Sequence, residues 1–485
     1  MPEIDLDLDL PPEQASRLAR SPVLAPHRSG RARSVGVELV WHDTPEGALA
    51  AAGLALCERR VGRARIWELS ALHADPPGTP ARVLAEAAGQ DMLGRPLPAP
   101  LLPVAACAGR LRTLPLDAAG AGAAALSVLE GRLRAVADEH PVCRVRLHDV
   151  ADPMLARTLA GTLDLAVPVA TLAEAALRVA GRSVPGPVPA PLAPGQSVSE
   201  AFATLLARQA GVLLRLAPLA AAGEGVEPVH QMRVALRRLR SAKKLFRRAL
   251  DCPALQALTP ELRALSARLG PARDWDVFAA GTGSAVAAAF PDDPAVARLL
   301  AAAGRKRAES YAALADFLRG PEFRALGISL AWIAAHRPWE ALPPADEAQA
   351  AARALPLVDF AAKALGRRLA RVLEPGADLS ALPPDQLHAV RIQAKRLRYA
   401  AEFFAPFWSP RPVRRFVRRV TAVQDRIGEL NDGRVAAGLM AALGGNERGY
   451  AAGIVRGYVA ASHADAAAKV ARAWRRFRRL GAFWT

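Results

Sequence analysis

The chain repeats part of its own sequence, and this repeat limits the folds that it can adopt. Residues 229–246 read VHQMRVALRRLRSAKKLF, and residues 387–404 read LHAVRIQAKRLRYAAEFF. The two segments match at seven of eighteen positions without a gap, at an offset of 158 residues (388 − 230 = 158). The same offset aligns Gly270 with Gly428 and Phe202 with Phe360. A constant offset over so long a stretch predicts a duplicated structural unit.

The duplicated region has the pattern of helices throughout. From residue 197 onward, Leu and Ala recur with a period near 3.6 residues, and no segment alternates as a strand would. Ser197 and Glu200 stand at the spacing of a capping box and mark the start of the first helix. We therefore predict an all-α domain built from two four-helix bundles related by a pseudo-twofold axis.

A proline-rich stretch, SVPGPVPAPLAPG, separates this region from the residues before it. Prolines disfavour helix and give a stiff, extended spacer. We predict an N-terminal domain at residues 1–182, a linker at 183–196 and the helical domain at 197–485. In the first domain RSVGVELVWHD, RARIWELSAL and PVCRVRLHD have the pattern of strands, whereas GALAAAGLAL and PMLARTLAGTL have that of helices. The N-terminal domain is therefore predicted to be α+β.

Positive charge is concentrated after the linker. Residues 1–195 hold 20 Lys and Arg against 21 Asp and Glu (20 − 21 = −1), and residues 196–485 hold 44 against 25 (44 − 25 = +19). A bias in base composition would load both parts alike. The helical domain is therefore expected to bind a polyanion.

Several other classes of protein are disfavoured by the sequence. The four cysteines are scattered without C-x-x-C spacing, which predicts neither a disulfide framework nor a zinc site. The sequence has no uninterrupted apolar run of about 18 residues, and its first residues, MPEIDLDLDL, are acidic rather than signal-like. We expect a cytoplasmic protein without a membrane partner.

In both copies of the repeat one helix face collects cations and a different face collects apolar residues. A solvated helix face usually mixes Glu with Lys, because each i,i+4 pair contributes about 0.2–0.5 kcal/mol. The first basic face has no carboxylate, which favours a bound anion over a plain solvated surface. The residues that share these faces are His230, Arg233, Arg237, Arg240 and Lys244 in the first copy, and His388, Arg391, Lys395 and Arg398 in the second.

The two histidines recur at the same register, one turn ahead of an arginine. Either one alone would be read as a histidine that hydrogen-bonds at a helix start, and the recurrence favours a functional role. No second histidine or carboxylate stands at i+3 or i+4, and the neighbouring arginines repel cations, so we expect no metal. A polyanion would instead raise the imidazole pKa and recruit the ring as a further donor.

These motifs carry a family resemblance. H-x-x-R-V-x-x-R-R-L-R and H-x-x-R-I-x-x-K-R-L-R-Y, followed by GPARDWDV and VQDRIGELNDGR, resemble the two halves of a CHAD domain, the conserved histidine α-helical domain. The resemblance covers about residues 197–482 and implies a basic channel that binds inorganic polyphosphate. The contacts it implies are His230, Arg233, Arg237, Arg240, His388, Arg391, Lys395 and Arg398, with Arg238, Lys244 and Arg396 at the rim and Arg273 from an R-D motif that the second copy replaces with Asn431.

The chemistry of the basic faces also favours polyphosphate over nucleic acid. Arginine can donate two hydrogen bonds to adjacent phosphate oxygens, and polyphosphate has no bases to read. Nucleic-acid sites usually add aromatic platforms or groove-reading side chains, which these faces almost lack. We expect non-enzymatic polyphosphate binding, association with polyphosphate granules, and other polyphosphate-associated proteins as further partners. Nonspecific nucleic-acid binding is an alternative.

A second resemblance covers about residues 1–182. WHDTPEGALAAAGLALCERR, at 41–60, resembles the signature of CYTH domains, which are triphosphate tunnel enzymes. Asp43, Thr44, Gly53 and Arg59 fit that signature, and Cys57 replaces an arginine of it. The resemblance implies a tunnel or barrel-like fold.

The residues that such an enzyme would need are only partly present. The family opens with E-x-E-x-K, and here EIDLDLD supplies Glu3, Asp5 and Asp7, with an acid in place of the lysine. Arg144 and Arg146 stand where the family has carboxylates. Because metal-dependent phosphoryl transfer needs those acids, we expect a degenerate domain without hydrolase activity, metal or cofactor. The alternative is a metal-dependent inorganic triphosphatase that uses Glu3, Asp5 and Arg59.

Overall fold

The N-terminal part folds around one antiparallel sheet of eight strands. The computed structural model describes residues 4–94, 96–136, 138–379, 382–443, 449–462 and 465–484, without the side chains of residues 384, 430–434 and 462. The strands are β1 (Leu6–Asp9), β2 (Arg33–Asp43), β3 (Leu54–Val61), β4 (Ala64–Ala71), β5 (Val83–Ala87), β6 (Leu102–Pro115), β7 (Ala125–Arg134) and β8 (Glu139–His148).

The sheet is open, with the order β1-β8-β7-β6-β2-β3-β4-β5. Strand β1 also reaches the loop before β5, where the Asp7 amide donates to the Gly78 carbonyl at 2.8 Å. Strand β2 covers the predicted segment RSVGVELVWHD from its first residue to its last. The α+β prediction is confirmed, and its barrel-like part takes the form of an unclosed sheet.

Helices make up the rest of the described structure. They are α1 (Ala15–Ala19), α2 (Ala48–Ala51), α3 (Ala118–Ala121), α4 (Met154–Thr162), α5 (Leu172–Val179), α6 (Val198–Ala222), α7 (Glu227–Leu250), α8 (Pro253–Phe278), α9 (Ser284–Ala289), α10 (Pro294–Arg319), α11 (Pro321–His336), α12 (Glu347–Ala354), α13 (Leu357–Leu373), α14 (Pro384–Phe403), α15 (Pro410–Leu443), α16 (Tyr450–Ser462) and α17 (Ala466–Arg478). A π-helical turn, Ala279–Gly283, joins α8 to α9. After residue 197 the described residues form helices and no strand, which confirms the all-α prediction.

The chain divides into two compact units. The first comprises Met1–Ala190, Leu206–Arg215 and Leu318–Ala341, and the second comprises Pro191–Leu205, Leu216–Phe317 and Leu342–Thr485. Helix α11 belongs to the first unit because it packs on α4. There the Trp332 indole donates to the Val150 carbonyl at 3.1 Å. The first unit therefore includes segments from beyond the predicted linker.

Within the second unit the duplicated sequence forms duplicated helices. Helices α6 and α13 start at residues 198 and 357, α7 and α14 at 227 and 384, and α8 and α15 at 253 and 410. These starts differ by 159, 157 and 157 residues, close to the sequence offset of 158. The predicted capping box is also present, since Ser197 accepts from the Glu200 amide and Glu200 accepts from the Ser197 amide.

Helix α6 is apolar enough to resemble a membrane span. Among the described helices it is the one whose length and mean hydropathy of 1.3 would allow a crossing, and 56% of that segment is buried inside the fold. Its apolar composition is accounted for by packing, as expected for a core helix.

Four phenylalanines join the two copies at the centre of the second unit. The Phe246 ring lies 5.3 Å from Phe202, 5.0 Å from Phe360 and 6.0 Å from Phe404, measured between ring centroids. All four side chains are buried. They form two pairs at the repeat offset, Phe202 with Phe360 and Phe246 with Phe404. This cluster holds α7 against α14.

Phe246→Ala should therefore lower the free energy of unfolding by about 3–5 kcal/mol, because a fully buried aromatic ring leaves a cavity. Chemical denaturation of the purified protein measures this change. The matched control is Phe290→Ala, whose side chain is 39% exposed and which should cost no more than about 0.5 kcal/mol. Equal losses in the two variants would contradict the central role of the cluster.

Candidate basic cavity between the repeated helices

Seven of the predicted binding side chains line one cavity of about 720 Å³ in the second unit, called here the central cavity. Helices α7 and α14 supply six of them, and α8 supplies the seventh. Asp274 is the only carboxylate among the lining residues whose side chains the structure describes. The seven are His230, Arg233, Arg237, Arg273, Arg391, Lys395 and Arg398.

Two repeat-related arginines are held against neighbouring helices where glycine leaves room. Arg233 Nη1 donates to the Gly270 carbonyl at 3.1 Å, and Arg391 Nε donates to the Gln424 carbonyl at 3.4 Å. A Cβ at Gly270 would lie 3.4 Å from Arg233 Nη1, and one at Gly428 would lie 3.0 Å from Arg391 Nη2. Glycine thus recurs at these aligned positions because a side chain there would crowd the guanidinium groups.

Polar contacts cross from α7 to α14 beside the cavity. Arg237 Nε donates to the Tyr399 hydroxyl at 3.1 Å. Glu402 accepts from Arg238 Nη2 at 2.9 Å and from Arg398 Nη1 at 2.6 Å. The Arg398 guanidinium also lies 4.6 Å from the centroid of the Tyr399 ring. Glu402 therefore links the two copies by neutralising one arginine from each.

The two copies also differ at an equivalent position. Arg240 Nη1 donates to Ser266 Oγ at 3.4 Å, and Arg398 Nε donates to Gln424 Oε1 at 3.0 Å. Both donors and both acceptors are related by the offset of 158 (424 − 266 = 158). Only Arg398 of this pair lines the central cavity. The cavity therefore follows the pseudo-symmetry of the helices only in part.

The lining cations repel one another in the ligand-free protein. Burial, together with the charges of Arg391 and Arg237, lowers the pKa of Lys395 to about 8. Burial and the charge of Arg273 also lower the pKa of His230. A bound anion would favour the charged form of such a group. The ligand-free cavity is therefore strongly electropositive.

Five predicted contacts lie outside the central cavity. Arg238 is paired with Glu402, and Arg240 bonds a serine of α8. Lys244 lines a different cavity, and Arg396 bonds a neighbouring glutamine of α14. His388 Nδ1 is buried with no hydrogen-bond partner among the described residues. The predicted residues of α7 that lie outside the central cavity do so because this cavity covers only the N-terminal half of the helix.

Four uncharged polar lining residues were not predicted from the sequence. Thr282, Tyr399, Gln424 and Tyr458 contribute polar groups to the cavity wall. At the repeat offset Tyr399 aligns with Ser241 and Gln424 with Ser266, so a search for identical residues passes over them. The signal that was present is chemical, since each of these aligned positions carries a hydrogen-bonding side chain in both copies.

In the first unit the acidic residues of β1 and the residue before it are already engaged by basic partners. Arg146 donates to both oxygens of Asp7, at 2.6 and 3.0 Å, and the His148 ring lies 3.1 Å from Asp5 Oδ2. Burial would raise the pKa of Asp5, but the contact with His148 holds it below its usual value. Glu3 lies outside the described residues. No group of three or more potential metal ligands occurs in the described part of the chain.

The residues that match the CYTH signature have structural partners. Asp43 Oδ1 accepts from the amides of Thr44 and Leu49, both at 2.8 Å, and its side chain is buried at the start of α2. Arg59 Nη2 lies 3.7 Å from Glu86 Oε2. Asp43 therefore organises a turn, and Arg59 is paired within the sheet.

Lys395→Met tests the cost of burying this charge beside other cations. Methionine has a similar length and no charge, so the free energy of unfolding of the ligand-free protein should rise by on the order of 1 kcal/mol at neutral pH. Because the pKa of Lys395 falls from 10.5 to about 8 on folding, the unfolded chain binds more protons between those values. Wild-type stability should therefore gain a contribution as pH rises through this window, and the variant should lack it.

Urea denaturation of both proteins across this pH window measures the difference between them. Lys363→Met, which removes an exposed lysine from α13, is the matched control for loss of one charge. A less stable Lys395→Met variant, or a stability difference that does not shrink as pH rises, would contradict this cost of burial beside other cations.

A family model and several solved structures match this chain. A family model described as CHAD domain matches residues 196–441, which is 246 of 485 residues (441 − 196 + 1 = 246). The crystal structure of the CHAD domain from the plant Ricinus communis is 27% identical with a TM-score of 0.51, covering 61% of this chain and 96% of that chain. No curated protein matches.

Two further solved structures are less similar. PptA from Streptomyces chartreusis is 20% identical with a TM-score of 0.41, covering 58% of this chain and 100% of that chain. HpAC1 from Hippeastrum, described as having a dominant triphosphatase activity, is 15% identical with a TM-score of 0.26, covering 38% and 98%. Likenesses this low support no argument about function. The family match spans more than half of the chain and includes both copies of the repeat, so the protein belongs to the CHAD domain family.

Proposed function

We propose that the protein binds inorganic polyphosphate in the central cavity and does so without catalysing a reaction. The observation that carries this proposal is the crowding of seven cationic or titratable side chains around one cavity with a single described carboxylate. A chain of phosphates would offset the burial and the neighbouring charges that lower the pKa of Lys395. Its many equivalent oxygens suit a lining drawn from two similar helices.

The lining fits a flexible polyanion better than a nucleic acid. Five of the seven side chains are arginines, which can each donate two parallel hydrogen bonds to phosphate oxygens. Of the aromatic residues in the described lining, Phe278 and Tyr399 are buried, and Tyr458 is 37% exposed. One partly exposed ring is a small platform for stacking successive bases. Polyphosphate needs no such platform.

The proposed cellular role is attachment to polyphosphate granules in the cytoplasm, or scaffolding of other polyphosphate-associated proteins there. The first unit supports a non-enzymatic role, because Asp5 and Asp7 are engaged by His148 and Arg146. The alternative function is a metal-dependent triphosphatase. It predicts Mg²⁺- or Mn²⁺-stimulated phosphate release from tripolyphosphate that Glu3→Ala or Asp5→Asn abolishes, and finding this would replace the non-enzymatic proposal.

Competition between polyanions tests the binding proposal. Long-chain polyphosphate should bind the purified protein, and duplex DNA at equal phosphate concentration should fail to displace it. Arg233→Gln/Arg391→Gln should weaken polyphosphate binding by at least about tenfold, because charge-assisted hydrogen bonds contribute roughly 1.5–3 kcal/mol each. Fluorescence anisotropy with labelled polyphosphate measures both effects.

The matched control is Arg414→Gln/Arg415→Gln, which removes two exposed arginines from α15 that do not line the central cavity. Binding by the control should stay within about twofold of wild type, since rim charges act mainly through screened, long-range fields. Displacement by DNA would favour nonspecific nucleic-acid binding. Equal losses in the two double variants would show that net charge, rather than the cavity, determines binding.

A further inference from the structure

A second basic cleft lies in the second unit, away from the central cavity. It has a volume of about 550 Å³ and is built by the C-terminal half of α7, by α13, and by α12 with the residues before it. It shares no lining residue with the central cavity. Its six cations are Lys244, Arg247, Arg248, Arg367, Arg368 and Arg371.

The contacts between α7 and α14 separate the two sites. Arg237 lines the central cavity and Lys244 lines the second cleft, about 10 Å further along the helix at ~1.5 Å per residue. Between them Arg238 pairs with Glu402 of α14. The contact with α14 thus separates the basic face of α7 into two surfaces.

The cations of the second cleft have no carboxylate partner among the described residues. None of the six forms an ion pair with any carboxylate that the structure describes. Two acids, Asp251 and Asp346, also line the cleft and are otherwise engaged. Asp346 Oδ1 caps α12 by accepting from the Gln349 amide at 2.6 Å, and Asp251 Oδ2 accepts from Gln256 at 3.4 Å.

Burial and neighbouring charges both disfavour the charged forms of cations in this cleft. Burial, then the charges of Arg396 and Arg371, lowers the pKa of Arg368 to about 10. Burial and Arg396 also lower the pKa of Lys244. Arg396 therefore adds its charge to this side of α14, whereas the preceding residue, Lys395, faces the central cavity.

We propose that the second cleft is an independent binding site for a short run of condensed phosphates, such as an oligophosphate of a few units. Six cations against two engaged carboxylates suit a ligand with several closely spaced negative charges. The apolar lining among the described residues is Leu245, Ala345, Ala348 and Ala364, which include no aromatic ring for a base. The phosphate chain is therefore the part of the ligand that is recognised. This site is distinct from the central cavity and does not require that cavity to bind anything.

Tripolyphosphate titrated into the full-length protein by calorimetry at low salt tests the proposal. Wild type should show binding at two sites. Arg248→Gln/Arg368→Gln/Arg371→Gln should lose the site in the second cleft, and Arg233→Gln/Arg391→Gln should lose the site in the central cavity while the second cleft still binds. The combined variant should lose both.

The salt dependence adds an independent readout. If these three arginines contact phosphates, each single substitution by glutamine should leave weaker binding in the second cleft and lower the slope of its log affinity against log salt by roughly 0.7. The matched control, Arg414→Gln/Arg415→Gln/Arg418→Gln, removes three exposed arginines of α15 that line neither cavity and should leave both sites intact. Circular dichroism and thermal melting verify that each variant is folded.

A parallel titration with ATP separates the sources of phosphate. Binding of tripolyphosphate with equal or weaker binding of ATP supports recognition of the phosphate chain alone, and a clear preference for ATP would overturn it. A wild-type titration that Arg233→Gln/Arg391→Gln abolishes completely would also overturn the second site, while leaving the central cavity intact as a proposal. A wild-type titration that shows one site, which Arg248→Gln/Arg368→Gln/Arg371→Gln abolishes and Arg233→Gln/Arg391→Gln leaves unchanged, would contradict the proposed function and not this inference.

Discussion

The fold of the second unit brings cations together that repel one another, and the proposed binding depends on this repulsion. The phenylalanine cluster around Phe246 packs α7 against α14, and this packing brings the basic faces of the two copies to one cavity. Hydrophobic burial supplies the stability, because several aromatic rings contribute far more than the unfavourable charge contacts cost. The free-energy cost of burying these cations together is reflected in the lowered pKa of Lys395. The proposed polyanion ligand should therefore stabilise the folded state.

Glu402 shows how the same fold limits that repulsion. It occupies the position that Lys244 holds in the first copy (402 − 244 = 158), and it pairs with one arginine from each copy. A lysine at position 402 would add positive charge where α7 contacts α14. The ion pairs of Glu402 with Arg238 and Arg398 would then be lost. The asymmetry between the copies therefore divides the basic surface into the central cavity and the second cleft.

Much of this architecture was predictable from the sequence, because duplication is read from a constant offset and helices from their periodicity. The repeat predicted α7 and α14, and the motif residues Arg233 and Arg391 do meet at one cavity. Predictions from the local sequence pattern failed where the backbone conformation determined the secondary structure. The segment GALAAAGLAL was predicted to be helical, yet α2 ends early and β3 begins at Leu54, because Gly53 adopts a positive φ of 72°. Likewise a helical wheel cannot show where α14 packs on α7, or that Lys244 lines the second cleft rather than the central cavity.

The salt dependence of polyphosphate affinity tests the central claim most directly. If the lining cations bind phosphates, log affinity should fall steeply with log salt, by roughly 0.7 per neutralised phosphate. Substituting Arg233 and Arg391 by glutamine should make the slope shallower by about 1.4, from two lost contacts of roughly 0.7 each. A flat dependence in wild type, or an unchanged slope in the variant, would contradict binding of polyphosphate by these repeated arginines.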